Sequence, residues 1–285
     1  MLTTIGYLGP KGTFTKLAVD TAFNNNEEKV SFNTIPECID AVANDEIDAA
    51  VVPIENAIEG TVQLTIDYLI HEVSLPIVSE IVVPIQQHLL VRPDFIGELS
   101  DITEVHSHSH AIAQCHQYIH KKLNSPSLQY TTSTGRAAEL VADDSGPIAA
   151  IGNSLAATEY GLRIMEQSIH DFPNNHTRFI VLTKKRELVK IEHPVQAEKT
   201  TLKITLPSDQ AGALHQILSA FAWRKMNLSK IESRPTKTGL GNYFFIIDVN
   251  QAYDNALFPG VKGELEALGC EVQIFGTYPV FQMNI

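Results

Sequence analysis

The chain has 285 residues, 44% of them hydrophobic and 19% charged, an ordinary globular composition with apolar material for two or three cores. A formal net charge of −12 lacks the basic footprint of a nucleic-acid binder, so any anionic ligand needs local Arg, Lys or helix N-termini. Met1–Leu8 is too short and insufficiently basic for a leader, and no run approaches the ~18 apolar residues of a membrane helix. Three scattered cysteines, Cys38, Cys115 and Cys270, fit a reducing compartment, so a cytoplasmic protein without nucleic-acid or membrane partners is expected.

Short β-rich runs alternate with amphipathic stretches from the start. Thr3–Leu8 reads as a strand, Phe14–Phe23 as a helix, Val30–Thr34 as a strand and Pro36–Asn44 as a helix. Ala49–Ile54 follows as a buried strand and Val62–Glu72 as a helix, an alternation that predicts a doubly wound α/β lobe. Ile77–Val91 is apolar but too long for one strand, and Pro84 marks a bend, so it predicts a crossover between two lobes. The second lobe is expected over Ile102–Val105, Ala111–Leu123, Leu128–Thr131, Arg136–Ala142, Ile148–Ile151 and Ser154–Tyr160. Phe179–Thr183 is a further strand able to return to the first lobe, and two crossings imply a cleft. The expected bounds are residues 1–183 for this domain, with lobe one at about 1–83 and 162–183 and lobe two at about 84–161.

Lys184–Lys199 has little apolar periodicity and reads as a linker. From 200 to 285 the pattern restarts: strand Thr201–Leu206, helix Ala211–Lys225, strands Leu228–Arg234 and Tyr243–Val249, helix Asp254–Leu268 and strand Glu271–Pro279. That βαββαβ order predicts a ferredoxin-like domain.

Four segments carry possible chemistry. Gly9-Pro10-Lys11-Gly12-Thr13-Phe14 joins the first strand to the first helix; it is either a plain tight turn or an anion site built from helix N–H groups and the Thr13 hydroxyl. Glu55 and Asn56 leave a buried strand for a polar loop, the place where open α/β sheets gather ligands, although a simple helix approach is equally consistent. His106-Ser107-His108-Ser109-His110 precedes a helix with Gln114 and Cys115; no acid or thiol pattern accompanies the histidines, so capping or substrate contact is favoured over metal. Arg178 has the planar fork that grips a carboxylate, beside the hydroxyl of Thr177, and a surface arginine is the bland alternative. Cys115 reads as a small buried residue and Trp223 as core.

In order and spacing these segments resemble the prephenate dehydratase family. The resemblance rests on GPKGTF at 9–14, VVPIENAIEG at 51–60, SHSHAIAQC at 107–115, AAIGNSLAATEYGL at 149–162 and TRF at 177–179. The tail resembles that family's ACT regulatory domain through GALH at 212–215 and ESRP at 232–235. The resemblance implies a two-lobed, periplasmic-binding-protein-like (type II) catalytic domain plus a ferredoxin-like ACT domain. It assigns Thr177, as the main catalytic hydroxyl, with Asn56, Ser107 and Gln114 to catalysis, and Thr13, Glu55 and Arg178 to substrate binding. It assigns Gly212, Ala213, Leu214, His215, Glu232, Ser233, Arg234 and Pro235 to a phenylalanine effector site. The sequence departs from the family at Ser109 and His110, where Pro and Gln are usual, and at Ala57, where Ser or Thr is usual.

The implied reaction is loss of carbon dioxide and water from prephenate to give phenylpyruvate. Aromatisation drives it, so no cofactor or metal is expected, and the protein's task is to orient a dianion and assist a leaving hydroxyl. Prephenate as substrate, L-phenylalanine as effector and a homodimer or homotetramer through both domains are the expected partners. The alternatives are an arogenate dehydratase and a non-catalytic amino-acid-sensing protein on the same lobes.

Overall fold

The computed structural model describes residues 3–24, 26–208, 210–236 and 243–283. These fold as two compact units: residues up to Ser74 with Ile81–Glu192 and Met283, and Leu75–Glu80 with His193–Gln282.

The elements run β1 (Thr4–Leu8), α1 (Phe14–Ala22), β2 (Glu28–Phe32), α2 (Ile35–Ala43), β3 (Ala49–Asn56), β4 (Gly60–Thr61), α3 (Gln63–His71), β5 (Ile77–Pro84) and β6 (His88–Val91). They continue with β7 (Glu104–Ser107), α4 (Ser109–Gln114), α5 (His116–Lys122), β8 (Ser127–Tyr130), α6 (Thr134–Asp143), β9 (Ile148–Gly152), α7 (Ser154–Glu159), β10 (Arg163–Glu166) and β11 (His176–Leu182). The second unit adds β12 (Ala197–Thr205), α8 (Ala213–Ala222), β13 (Leu228–Pro235), β14 (Tyr243–Val249), α9 (Leu257–Ala267) and β15 (Glu271–Gln282).

The first unit contains two sheets built on one plan. In one the order is β2-β1-β3-β11 with Ile81–Pro84 of β5 beyond β11; in the other it is β8-β7-β9-β6-β10. Each has a parallel trio, with β1 or β7 at its centre, and an antiparallel strand, β11 or β6, beside it. The central strands are apolar throughout because helices cover both faces: every residue of β9 is buried, as are Ala49–Val52 of β3. Leu89, Val105, Ile112 and Ile151 form one core of the second lobe, and Leu90, Ala138, Val141 and Ala150 another.

In the second unit the order β13-β14-β12-β15 is antiparallel throughout, the ferredoxin-like arrangement expected from the sequence. Ile77–Glu80 of β5 lies beside β15. Glu80, 1% exposed, receives Lys199 Nζ at 2.8 and 2.9 Å, and Thr201 Oγ1 bonds Asp248 at 2.7 Å.

Several boundaries differ from the sequence reading. Both β3 and β11 extend further: Glu55 and Asn56 lie in β3 rather than a loop, and β11 starts at His176, ahead of Thr177 and Arg178. The cause is mutual pairing, Thr177 with Asn56 and Arg178 with Glu55, which satisfies the backbone of polar residues that carry no strand pattern. The single helix expected over Ala111–Leu123 breaks at Cys115 into α4 and α5. β10 falls in the stretch expected to return to lobe one, yet it pairs with β6 in the second lobe. β12 begins at Ala197, inside the stretch read as linker, and Leu75–Glu80 groups with the second unit. Trp223 is exposed, not core.

Candidate active site

A cavity of about 540 Å³ opens between the two lobes of the first unit. Its walls include Thr13–Thr15, Asn56, Glu59, Gln87, His108, His110, Gln114, Ser133, Thr134 and Thr177.

Strand geometry selects which residues face it. Thr177 and Phe179 are two apart on β11 and share the cavity face. On β3 the register shifts opposite Arg178 and Phe179, so that Pro53 pairs with Phe179 and Glu55 with Arg178. This bulge turns Asn56 to the same face as Pro53, and both line the cavity. Asn56 Nδ2 then donates to Thr177 Oγ1 at 2.9 Å and to Asn175 Oδ1 at 3.0 Å, while Asn56 Oδ1 accepts from the N–H of Ile58 and of Glu59. Since Thr177 Oγ1 accepts from Asn56, its own proton is left for a ligand.

Two helix starts also line the cavity. Thr13 caps α1: its Oγ1 accepts from Lys16 N–H at 3.3 Å and donates to the carbonyls of Pro10 and Leu8. Its hydroxyl therefore serves the turn, and the cavity receives the first N–H groups of α1. Ser133 caps α6 through Arg136 N–H at 3.0 Å, bringing a second helix start to the same wall. Gly135 allows their approach, because a Cβ there would lie 2.3 Å from Lys11 O. No lysine or arginine stands among the described residues lining the cavity, which leaves these main-chain ends as the groups suited to an anion.

From the second lobe come His108, His110 and Gln114. His108 rather than a serine caps α4, its Nδ1 accepting from His110 N–H at 3.3 Å. Burial, reinforced by His110 and opposed by Glu59, holds the His108 pKa below the ordinary imidazole value. Gln114 Nε2 reaches Glu59 Oε1 at 3.4 Å, and Gln114 Oε1 accepts from Asn175 Nδ2 at 3.2 Å.

Three expected site residues are placed elsewhere. Arg178 and Glu55 form an ion pair and neither lines the cavity, because each alternates with its cavity-facing neighbour. The carboxylate in the guanidinium fork is thus Glu55. Ser107 is fully buried, and its Oγ donates to Ile151 O at 2.7 Å, holding β7 to β9. Burial pushes the Cys115 thiol up, which suits an inert core residue. No set of three metal-ligating groups occurs among the described residues, and His106 pairs with Glu104 at 3.0 Å.

Sequence reasoning missed Asn175, Glu59 and Gln87. Asn175 is 2% exposed and bonds both Asn56 and Gln114. Gln87 lines the cavity with a buried Oε1 that has no donor, an acceptor a ligand hydroxyl would complete. For Gln87 the available signal was its place three residues after the Pro84 bend, since a lobe crossing must pass the cleft.

In the second unit Gly212 is the N-cap of α8 at φ +87°, Ala213 is buried and Leu214 and His215 are exposed. Glu232, Ser233, Arg234 and Pro235 close β13, the edge strand of the ordered four, with Glu232 taking Lys230 at 3.2 Å and Arg234 at 3.8 Å. Pro235 pairs with Tyr243, whose carbonyl accepts from Leu206 N–H, so the strand feeding Gly212 and the end of β13 meet at one end of the sheet.

Compared with known proteins, residues 5–187 match the family described as prephenate dehydratase and residues 200–254 the ACT domain. A prephenate dehydratase of Bacillus subtilis (strain 168) is 52% identical over 283 residues, 98% of this chain and 99% of that protein. The solved prephenate dehydratase of Arthrobacter aurescens, in complex with L-Phe, aligns with a TM-score of 0.84 at 35% identity over 97% of this chain and 90% of that one. The enzyme from Staphylococcus aureus subsp. aureus Mu50 aligns at 0.82 and 33% identity over 97% and 100%.

Proposed function

We propose that this chain, which belongs to the prephenate dehydratase family, is a carbon–oxygen lyase that converts prephenate to phenylpyruvate with loss of carbon dioxide and water. The observation that carries the reading is the Thr177 hydroxyl, fixed as an acceptor by Asn56 in the wall of a cavity that two helix starts also line.

Prephenate brings two carboxylates and a ring hydroxyl. The first N–H groups of α1 and α6 suit carboxylates, and a dianion held there needs no side-chain cation. As the ring carboxylate's C–C bond breaks, its electron pair enters the ring and the C–O bond to the hydroxyl breaks on the far side of the same system. The leaving oxygen gains negative charge, and the free Thr177 O–H donates to it while Asn56 supports the threonine oxygen. Threonine is a weak acid, so its contribution is a strengthened hydrogen bond in the transition state; the proton that completes water comes from solvent. Gln114 and the buried Gln87 acceptor orient the remaining polar groups.

The family match of the tail, with Gly212 and the β13 end at one end of its sheet, supports L-phenylalanine as effector. Phenylalanine inhibits if it binds a less active state better, with a typical coupling of about 1–3 kcal/mol. On this reading residues 1–183 carry catalysis and 200–285 carry sensing, in a cytoplasmic homodimer or homotetramer. No helix of the described residues is long and apolar enough to cross a membrane.

The test is purified protein with prephenate, following phenylpyruvate at alkaline pH with and without phenylalanine. Turnover suppressed by phenylalanine is expected. Absence of phenylpyruvate with prephenate, but phenylalanine formed from arogenate, would reassign the substrate.

A further inference from the structure

The side chains of Asn56, Glu59 and Gln114 at the cavity and of Asn175 behind it, with the main-chain N–H of Glu59, close a ring of hydrogen bonds that runs in one direction. The N–H of Glu59 donates to Asn56 Oδ1 at 3.1 Å, and Asn56 Nδ2 donates to Asn175 Oδ1 at 3.0 Å. Asn175 Nδ2 donates to Gln114 Oε1 at 3.2 Å, and Gln114 Nε2 returns to Glu59 Oε1 at 3.4 Å. Glu59 pins both ends, since a main-chain N–H only donates and a carboxylate only accepts. Each amide therefore has one orientation. Asn56 and Glu59 belong to the first lobe, Gln114 to the second, and Asn175 to the returning crossover, where its carbonyl also accepts from Ile85 N–H at 2.8 Å.

We propose that Asn175 and Glu59 are positioning residues for the Thr177 hydroxyl: they close the ring that fixes Asn56 and Gln114 and leaves the Thr177 proton free for the leaving group. This rests on the dehydratase reading above, in which Thr177 meets that group. Neither touches the reacting atoms on this account. Asn56 has two amide hydrogens, and with one committed to Asn175 the other is directed to Thr177 Oγ1, its 2.9 Å contact being much shorter than the 3.4 Å to the His176 carbonyl. Were the ring open, the amides would be free to rotate and Thr177 would lose its fixed partner.

The ring's direction makes the idea testable by compensation. Asn175→Asp removes the donor that Gln114 Oε1 requires, so Gln114 turns its Nε2 to residue 175 and its oxygen to the Glu59 carboxylate. Two acceptors then face each other. Adding Glu59→Gln supplies an amide donor at that joint and closes the ring with the net charge of the starting chain. The measurements are kcat and KM for prephenate, with melting curves to verify folding. Asn175→Asp is expected to lower kcat by about 30-fold with KM changed by less than about three-fold, the scale of one misplaced transition-state donor. Its activity recovers as pH falls, because a protonated aspartate donates again. The double variant is expected to regain about ten-fold in kcat over Asn175→Asp. If Asn175→Asp does not fold, Glu59 carries the test from the cavity rim: Glu59→Leu lowers kcat by about five-fold or more, and Glu59→Gln, whose oxygen still accepts from Gln114, retains clearly more. Wild-type kcat in Asn175→Asp or in Glu59→Leu, or a folded double variant no faster than Asn175→Asp, overturns the proposal. A chain that turns over neither prephenate nor arogenate before substitution instead removes the dehydratase reading.

Discussion

Asn56 and Thr177 face one another across the β3–β11 register, with Nδ2 of the first 2.9 Å from Oγ1 of the second. A bulge in β3 makes this possible, because without it Asn56 and Pro53 would lie on opposite faces. Thr177→Ala should lower kcat by about 100-fold with a smaller change in KM, since in the proposed mechanism the hydroxyl acts on charge that develops only in the transition state. Thr177→Ser keeps the oxygen and should retain much more. Steady-state kinetics on the two variants decide the matter, and wild-type turnover in the alanine variant would take Thr177 out of the mechanism.

Arg178 next to Thr177 carries a different expectation. The family resemblance assigns Arg178 to substrate binding, but the guanidinium pairs with Glu55 and does not line the cavity. Lysine keeps the charge and loses the fork, so the cost falls on the β3–β11 joint, at about 1 kcal/mol or a few degrees in Tm. KM should stay within about two-fold. A ten-fold higher KM with an unaltered melting curve would return Arg178 to the substrate.

How much of this was legible in the sequence depends on the signal each feature leaves. The alternation of apolar runs located most strands and helices, and the βαββαβ order of the tail gave its fold. The ends of β3 and β11 escaped because Glu55, Asn56, Thr177 and Arg178 have no strand pattern; they are strand only through one another. The motifs brought Asn56, Gln114 and Thr177 to one cavity. The same motifs could not separate them from Ser107, Glu55 and Arg178, since that difference lies in the side-chain alternation and in a bulge. Asn175 was invisible for another reason: its role consists of bonds to residues 56 and 114, distant in sequence.

The approach of α6 to the Lys11–Gly12 turn rests on Gly135. A methyl group there would sit 2.3 Å from Lys11 O, a main-chain atom that also accepts from Tyr160 OH at 3.2 Å. The turn cannot yield without moving the start of α1, so Gly135→Ala should separate the two helix starts. The expected result is a KM for prephenate raised about ten-fold, with about 1–3 kcal/mol of lost stability. Equal KM in the folded variant would mean that the spacing of these helix starts is not what holds the carboxylates.

Regulation is best tested in the full chain. Removing residues after about Lys199 would take away β15, the neighbour of Ile77–Glu80, and most of the unit in which the buried Glu80–Lys199 pair sits. Truncation therefore costs stability as well as the sensor, and a drop in activity would not distinguish the two. Gly212 offers a cleaner handle. It caps α8 at φ +87°, a backbone state that a β-branched residue adopts only with strain. A Cβ there meets nothing within 4 Å, so the substitution acts through the backbone and not by collision. If the phenylalanine carboxylate sits at the start of α8, where free N–H groups suit an anion, Gly212→Val should twist that first turn and withdraw them. We expect turnover without phenylalanine to stay near wild type, and inhibition by phenylalanine to require at least about ten-fold more of it. Calorimetry on the same variant separates binding from coupling: wild-type affinity for phenylalanine in folded Gly212→Val would move the effector site away from this helix.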